Sequence, residues 1–190
     1  MVKRRRLNQE AVVAKAVSLA DEAGAPDAVT MTALAEALHV RPPSLYNHVQ
    51  GLDGLRQDMA LYAVRALIRR LRVATTGRVG REALWAMARA YRDFAHEHPG
   101  LYPFVTRAPD PDEEVLAERA QELLQLLLLV LASMGLEGEK ALHAVRGFRA
   151  LLHGFVSLER GGGYKMALDR EESFRRLVNA YLGGLGVEGA

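Results

Sequence analysis

Apolar residues recur along most of this 190-residue chain at three- and four-residue spacing, the period of a helix with one buried face, and no stretch alternates as a strand does. The first such segment carries Val13, Ala16, Val17 and Ala20. Asn8 is placed to cap its start, and Gly24 followed by Pro26 closes it. In the next segment, TMTALAEALHV, Thr30 or Thr32 offers a cap while Leu34, Ala35 and Leu38 share one face, which predicts a second, short helix.

The pattern breaks at RPPSLYNHV, residues 41–49. A residue ahead of proline is driven out of the α region, so Pro42 is expected outside any helix, whereas Pro43 suits a first helical position that needs no N–H. A new short helix is predicted from Pro43 to Gly51, with Leu45 and Val49 facing inward. Ser44, Asn47 and His48 then point away and Tyr46 lies at the border. A helix this short is not stable alone and must be held by its neighbours. Two short helices on a longer first one form a helix-turn-helix.

Beyond Asp53, a candidate cap, a long helix is predicted with Leu55, Met59, Tyr62, Ala63, Ala66 and Leu67 on one stripe. Its end carries Arg69, Arg70 and Arg72, where the helix dipole favours cations. Further helices are expected near 81–98, 101–107, 112–134, 138–160 and 170–184. The boundary between a helix-turn-helix domain and a larger helical domain is placed at 52/53.

Composition changes this picture little: 49% apolar and 25% charged residues describe an ordinary folded protein. Charge distribution adds more, because residues 1–72 hold 11 Lys and Arg against 7 Asp and Glu, and Lys3, Arg4, Arg5 and Arg6 are consecutive. A basic front end suggests a polyanion partner for that end, with a solvated tail as the plain alternative. The chain has no cysteine, which excludes disulfides and thiolate metal sites. No secretory pattern is read at the N-terminus, and the longest apolar run, LLQLLLLVLA, is well short of the ~18–20 residues that span a bilayer. A cytoplasmic protein without membrane partner is expected.

Catalysis finds no anchor. HEH at 96–98 lacks the HExxH spacing of a zinc hydrolase, no paired Glu-x-x-His motifs appear, and GGGYK at 161–165 has neither a preceding strand nor a following Lys-Ser/Thr. No enzyme, metal or cofactor is expected. A ligand-independent architectural DNA-binding protein and a helical small-molecule enzyme stand as the alternative readings.

The stretch VTMTALAEALHVRPPSLYNHVQGLDGLRQDM (29–59) resembles the DNA-binding region of the TetR family of bacterial regulators, through its threonine-led helix, its turn and its LYxH pattern. HPGLYPFV (98–105) and LLHGFVSLE (151–159) are similar to a subgroup whose C-terminal domain carries Trp-His-Gly; Leu152 stands at the tryptophan position here, before His153 and Gly154. The resemblance implies an all-α protein of about nine helices, with a DNA-binding domain over 1–52 and a ligand-binding and dimerisation domain over 53–190. It also implies a homodimer, a small-molecule effector and a role as repressor on a pseudo-palindromic double-stranded DNA operator. Two positions depart from the family: His39 replaces a turn glycine, and Leu52 stands where many members carry a phosphate-binding lysine, leaving Arg56 as a substitute.

A helix in the major groove reads base edges while flanking groups hold phosphates. Asn47 matches adenine, Ser44 suits any base and Pro43 offers an apolar surface to a thymine methyl. Tyr46 and His48 occupy family positions that touch the backbone. Arg41 stands at the leading edge, and by resemblance Thr32 joins the set. Tyr46 equally suits the small domain's core, and Lys3–Arg6 form an arm for phosphates or the minor groove. For the dimer, Gly147, Ala150 and Gly154 form a small-residue stripe, facing Phe174, Leu177, Val178 and Tyr181 on the last helix; packing within one chain is the alternative. Trp85, Tyr91, Phe104, Phe148 and His153 are the candidate ligand-binding residues, with ordinary core the alternative for each.

Overall fold

The computed structural model describes residues 7–186, and among these it contains eight α-helices, two 3-10 helices and no strand. The helices are α1 (Gln9–Ala23), α2 (Met31–Ala37), α3 (Gly51–Thr75), α4 (Gly80–Glu97), α5 (Tyr102–Thr106), α6 (Glu114–Ala132), α7 (Gly138–Arg160) and α8 (Arg170–Gly184). The all-α expectation holds. Asn8 caps α1 by accepting from the Ala11 N–H at 2.8 Å, and Thr30 rather than Thr32 caps α2 by accepting from the Ala33 N–H at 3.1 Å.

The chain divides into two compact units, one running to Ala66 and including Glu97–Arg119, the other holding Leu67–His96 and the chain from Ala120. These units do not coincide with a division at 52/53. All three crossings, after Ala66, His96 and Arg119, fall inside helices α3, α4 and α6.

In the first unit α1 packs on α2, and α2 packs on the 3-10 helix Pro42–Asn47. Val12, Ala16, Leu34, Leu45 and Leu55 are fully buried and make its core. The prolines start their helix one residue earlier than expected, and it is 3-10, not α. Both prolines sit among the first positions, where a missing N–H costs nothing. The restriction ahead of proline falls on Arg41, which is extended at φ −81° and ψ 141°. The turn closes through the short-range bonds of a 3-10 helix, Ser44 N–H to Arg41 O at 2.9 Å and His48 N–H to Leu45 O at 2.8 Å. Asp53 falls in the first turn of α3 and not at its cap, because the helix begins at Gly51. Tyr62 leaves the expected stripe and is exposed, while Val64 and Ile68 are buried.

The second unit is organised around a cation. Arg92 on α4 donates to both carboxylate oxygens of Glu159 on α7, at 3.0 and 2.8 Å, and to Glu171 on α8. Its guanidinium carbon lies 5.5 Å from the Phe155 ring centroid and 4.8 Å from that of Phe174. His96 Nε2 adds a contact to Glu159 at 2.7 Å. Only 13% of the Arg92 side chain and 5% of Glu159 reach solvent, so each ion depends on the other for what water no longer supplies. Burial pushes the Glu159 carboxyl up, but the hydrogen bonds from Arg92 and His96 outweigh it and hold the group below its usual range.

Two stability predictions follow from these features. Arg92→Met leaves Glu159 buried with only His96 beside it and should cost about 3 kcal/mol in urea denaturation at pH 7. Because Glu159 has a depressed folded-state pKa, the pair's contribution is present above the usual carboxylate range and lost as pH falls through the lower value. The gap between variant and parent should therefore narrow below about pH 4. At His39, the one non-glycine residue at positive φ among those described (55°), His39→Val should cost about 1–2 kcal/mol and His39→Gly should cost nothing, measured by the same unfolding midpoint.

Candidate nucleic-acid interface

The proline-led segment at 41–49 is anchored by two side chains. Leu45 is 0% exposed and Val49 4%, and the Val49 N–H returns to Leu45 O at 3.0 Å. With those positions committed inward, the 3-10 geometry turns Arg41, Pro43, Tyr46 and Asn47 to solvent, while Ser44 and His48 are half-buried. Tyr46 is 60% exposed. That removes it from the core and resolves the alternative at this residue. Thr32, on α2, is exposed as well.

The turn between α2 and this segment depends on His39, whose φ of 55° is one that histidine tolerates better than most residues. Arg56, the suggested substitute for the missing lysine, is directed to Asp27 with a 3.0 Å ion pair. Lys3, Arg4, Arg5 and Arg6 lie outside the described residues.

Sequence reasoning missed the residues that flank the head. A polar concavity of about 400 Å³ lies beside it, lined by Gln9, Tyr46, Asn47, His48, Gln57 and Asp58, among others. Gln9 Nε2 donates to Asp58 at 2.9 Å, joining the first residue of α1 to α3. No local motif signals this, because 49 residues separate the two and only packing brings them together. The concavity offers amide and hydroxyl groups of the kind that read base edges and phosphates.

The ligand candidates do not form one set. Phe104 belongs to the first unit; Trp85, Tyr91, Phe148 and His153 belong to the second. Trp85 packs edge-on against Phe174, its Nε1–H donating to Asn179 Oδ1 at 2.9 Å, and also borders a groove of about 490 Å³ with Val73, Ala74, Arg78 and Arg89. Phe148 is buried against Tyr181, with ring centroids 5.9 Å apart. His153 is exposed, because its neighbours Leu152, Phe155 and Val156 take the buried face of α7.

The residues read as a dimer surface separate likewise. Phe174 and Val178 are 0% exposed within their own chain, so that face of α8 is already consumed by its own unit. Gly147 lies against the Tyr181 ring, and the Tyr181 hydroxyl donates to Ala144 O. Ala150 and Leu177 are exposed, and Gly154 is half-buried with open space around its Cα.

Among the described residues no group of His, Asp and Glu is arranged to hold a metal, and no helix is long and apolar enough to cross a membrane. Residues 84–181 match the family described as Tetracyclin repressor-like, C-terminal domain. Over 181 residues, 94% of this chain and 93% of the relative, the sequence is 35% identical to the uncharacterised HTH-type transcriptional regulator YobS of Bacillus subtilis (strain 168). The fold is similar to SCO7222, a TetR from Streptomyces coelicolor (19% identity, 95% and 98% of the two chains, TM-score 0.74), and to the TetR family protein ActR of Streptomyces coelicolor in complex with (S)-DNPA (20%, 96% and 100%, 0.67). The chain belongs to the TetR family of transcriptional regulators.

Opposite outcomes are expected at adjacent positions of the head. Leu45→Ala removes a fully buried side chain and should cost about 2–4 kcal/mol, whereas Tyr46→Ala should change stability by no more than about 0.5 kcal/mol, both read from denaturant midpoints.

Proposed function

We propose that this regulator is a homodimeric repressor that reads a pseudo-palindromic operator through residues 41–48 and loses affinity when a small molecule occupies its C-terminal domain. The observation that carries the DNA-reading part is the exposure of Tyr46 and Asn47 directly beside the fully buried Leu45. A surface tyrosine and amide held rigidly by a buried leucine suit base and phosphate recognition better than they suit folding. Asn47 is the adenine reader, Ser44 and Pro43 are secondary base contacts, and Arg41, Tyr46, His48 and Thr32 hold the backbone. Lys3–Arg6 supply the phosphate anchor.

Dimerisation is assigned to the outer faces of α7 and α8, where Ala150, Gly154 and Leu177 remain available to a second copy. Two-fold symmetry then sets the reading heads about 34 Å apart, or a multiple of it. The complex of ActR with (S)-DNPA supports an effector here, and the mechanism is a shift between two states of different operator affinity.

Selection of duplexes from a random pool, followed by anisotropy titration at several salt concentrations, tests the reading. The chain should enrich an inverted repeat. Asn47→Ala should flatten discrimination at one or two base pairs by about 1–3 kcal/mol, while deleting residues 3–6 should weaken binding to every sequence and lower the salt slope. Failure to enrich any sequence contradicts it.

A further inference from the structure

Among the residues that line the polar concavity beside the proline-led segment, Asp58 carries the one carboxylate. Every lining residue belongs to the first unit, so their arrangement is set within one compact body. Asp58 lies near the start of α3 and is half-buried, and its Oδ2 accepts from Gln9 Nε2 at 2.9 Å. A neutral amide orients a carboxylate and leaves its charge in place, whereas a guanidinium would offset it. The neighbouring cation on α3, Arg56, is directed to Asp27 at 3.0 Å and does not line the concavity.

The other lining groups are of the opposite kind. The Tyr46 hydroxyl, the Asn47 amide and the His48 imidazole can each donate to a phosphate oxygen, and Tyr46 is 60% exposed. A negative oxygen among such donors does not suit a surface built only to hold DNA tightly. It suits one whose attraction is limited. The consecutive cations Lys3–Arg6 draw every duplex through the same phosphate charge. A like charge near the backbone subtracts from that sequence-independent attraction and lowers occupancy of unrelated sequences.

We propose, building on the DNA-binding reading, that Asp58 is an affinity-limiting residue: its carboxylate, held in the concavity by Gln9, repels the phosphate backbone that Tyr46 and His48 engage. Asp58 reads no base. The repulsion is shared by all sequences, so it sets how tightly any duplex is held and not which one is preferred. It fades as salt screens it.

Anisotropy titration of the full chain tests this, against a duplex selected in vitro and a scrambled duplex, each at several salt concentrations. Asp58→Asn keeps an oxygen to accept from Gln9 and removes the charge. It should tighten both complexes by about five-fold at low salt, steepen the salt dependence and leave the preferred sequence unchanged. Gln9→Ala breaks the hydrogen bond but keeps the charge, and should tighten neither complex. Asp112→Asn removes an exposed charge that does not line the concavity, and should leave both affinities within about two-fold. Gln57→Glu adds a carboxylate at an exposed lining position and should weaken both complexes by a similar factor, which decides the matter if Asp58→Asn does not fold. Unchanged or weaker binding by Asp58→Asn, or tightening confined to the selected duplex, overturns the role of Asp58 alone. So does equal tightening by Gln9→Ala or Asp112→Asn, or a Gln57→Glu chain that binds no more weakly than the parent. A parent that selects no duplex overturns the DNA-binding reading beneath it.

Discussion

Six residues in a 3-10 helix have too few hydrogen bonds to hold their own conformation, and the site exists because Leu45 is inserted into the core made by α1, α2 and α3. Burying a leucine is worth about 1.5–3 kcal/mol, which offsets only part of the ordering cost of about 1–2 kcal/mol per residue, and the buried Val49 adds to it. Arg41, Tyr46 and Asn47 inherit their direction from that anchor. The two prolines add to it by restricting the chain before the turn forms, so less entropy is lost in making it. The absence of an N–H on either is harmless because the first residues of a helix have no intrahelical partner for one.

The second unit solves a different problem. Helices α4, α7 and α8 meet at Arg92, whose charge is shared between Glu159 and Glu171 and whose flat face rests near Phe155 and Phe174. Removing ions from water is expensive, and a hydrophobic residue would pack these helices more cheaply. The arrangement instead imposes registry, since a bidentate pair tolerates little sliding of one helix along another.

Most helix positions were legible in the sequence to within a residue or two, because capping and periodicity are local: Asn8, Thr30 and the 138–160 and 170–184 segments lie where their side chains place them, whereas the helix expected from Pro43 to Gly51 is Pro42–Asn47. At 41–49 the inward pair Leu45 and Val49 and the outward Asn47 were legible for the same reason, whereas Ser44 and His48, expected to point away, are half-buried and Tyr46, expected at the border, is exposed. What was not legible depends on tertiary neighbours. Periodicity identifies Phe174 and Val178 as an apolar face, but it cannot say whether that face meets its own chain or another; the answer lies in Trp85, Phe155 and Arg92, far away in sequence. His153 stood beside three apolar neighbours and was read with them, although the helical turn places it on the other side. The 3-10 character of the prolines escaped because it differs from an α-turn by one hydrogen-bond step, below what residue types encode.

Residues 41–48 are the proposed DNA contact, and the exposed Leu129 of α6 has no part in it. Photo-crosslinking tests it directly, with a benzoylphenylalanine placed at position 46 or at the exposed Leu129 position and a labelled, selected duplex as target. Crosslinks from position 46 that a cold duplex competes away, with none from position 129, are the predicted result. Equal crosslinking from both positions, or from 129 alone, would contradict the account.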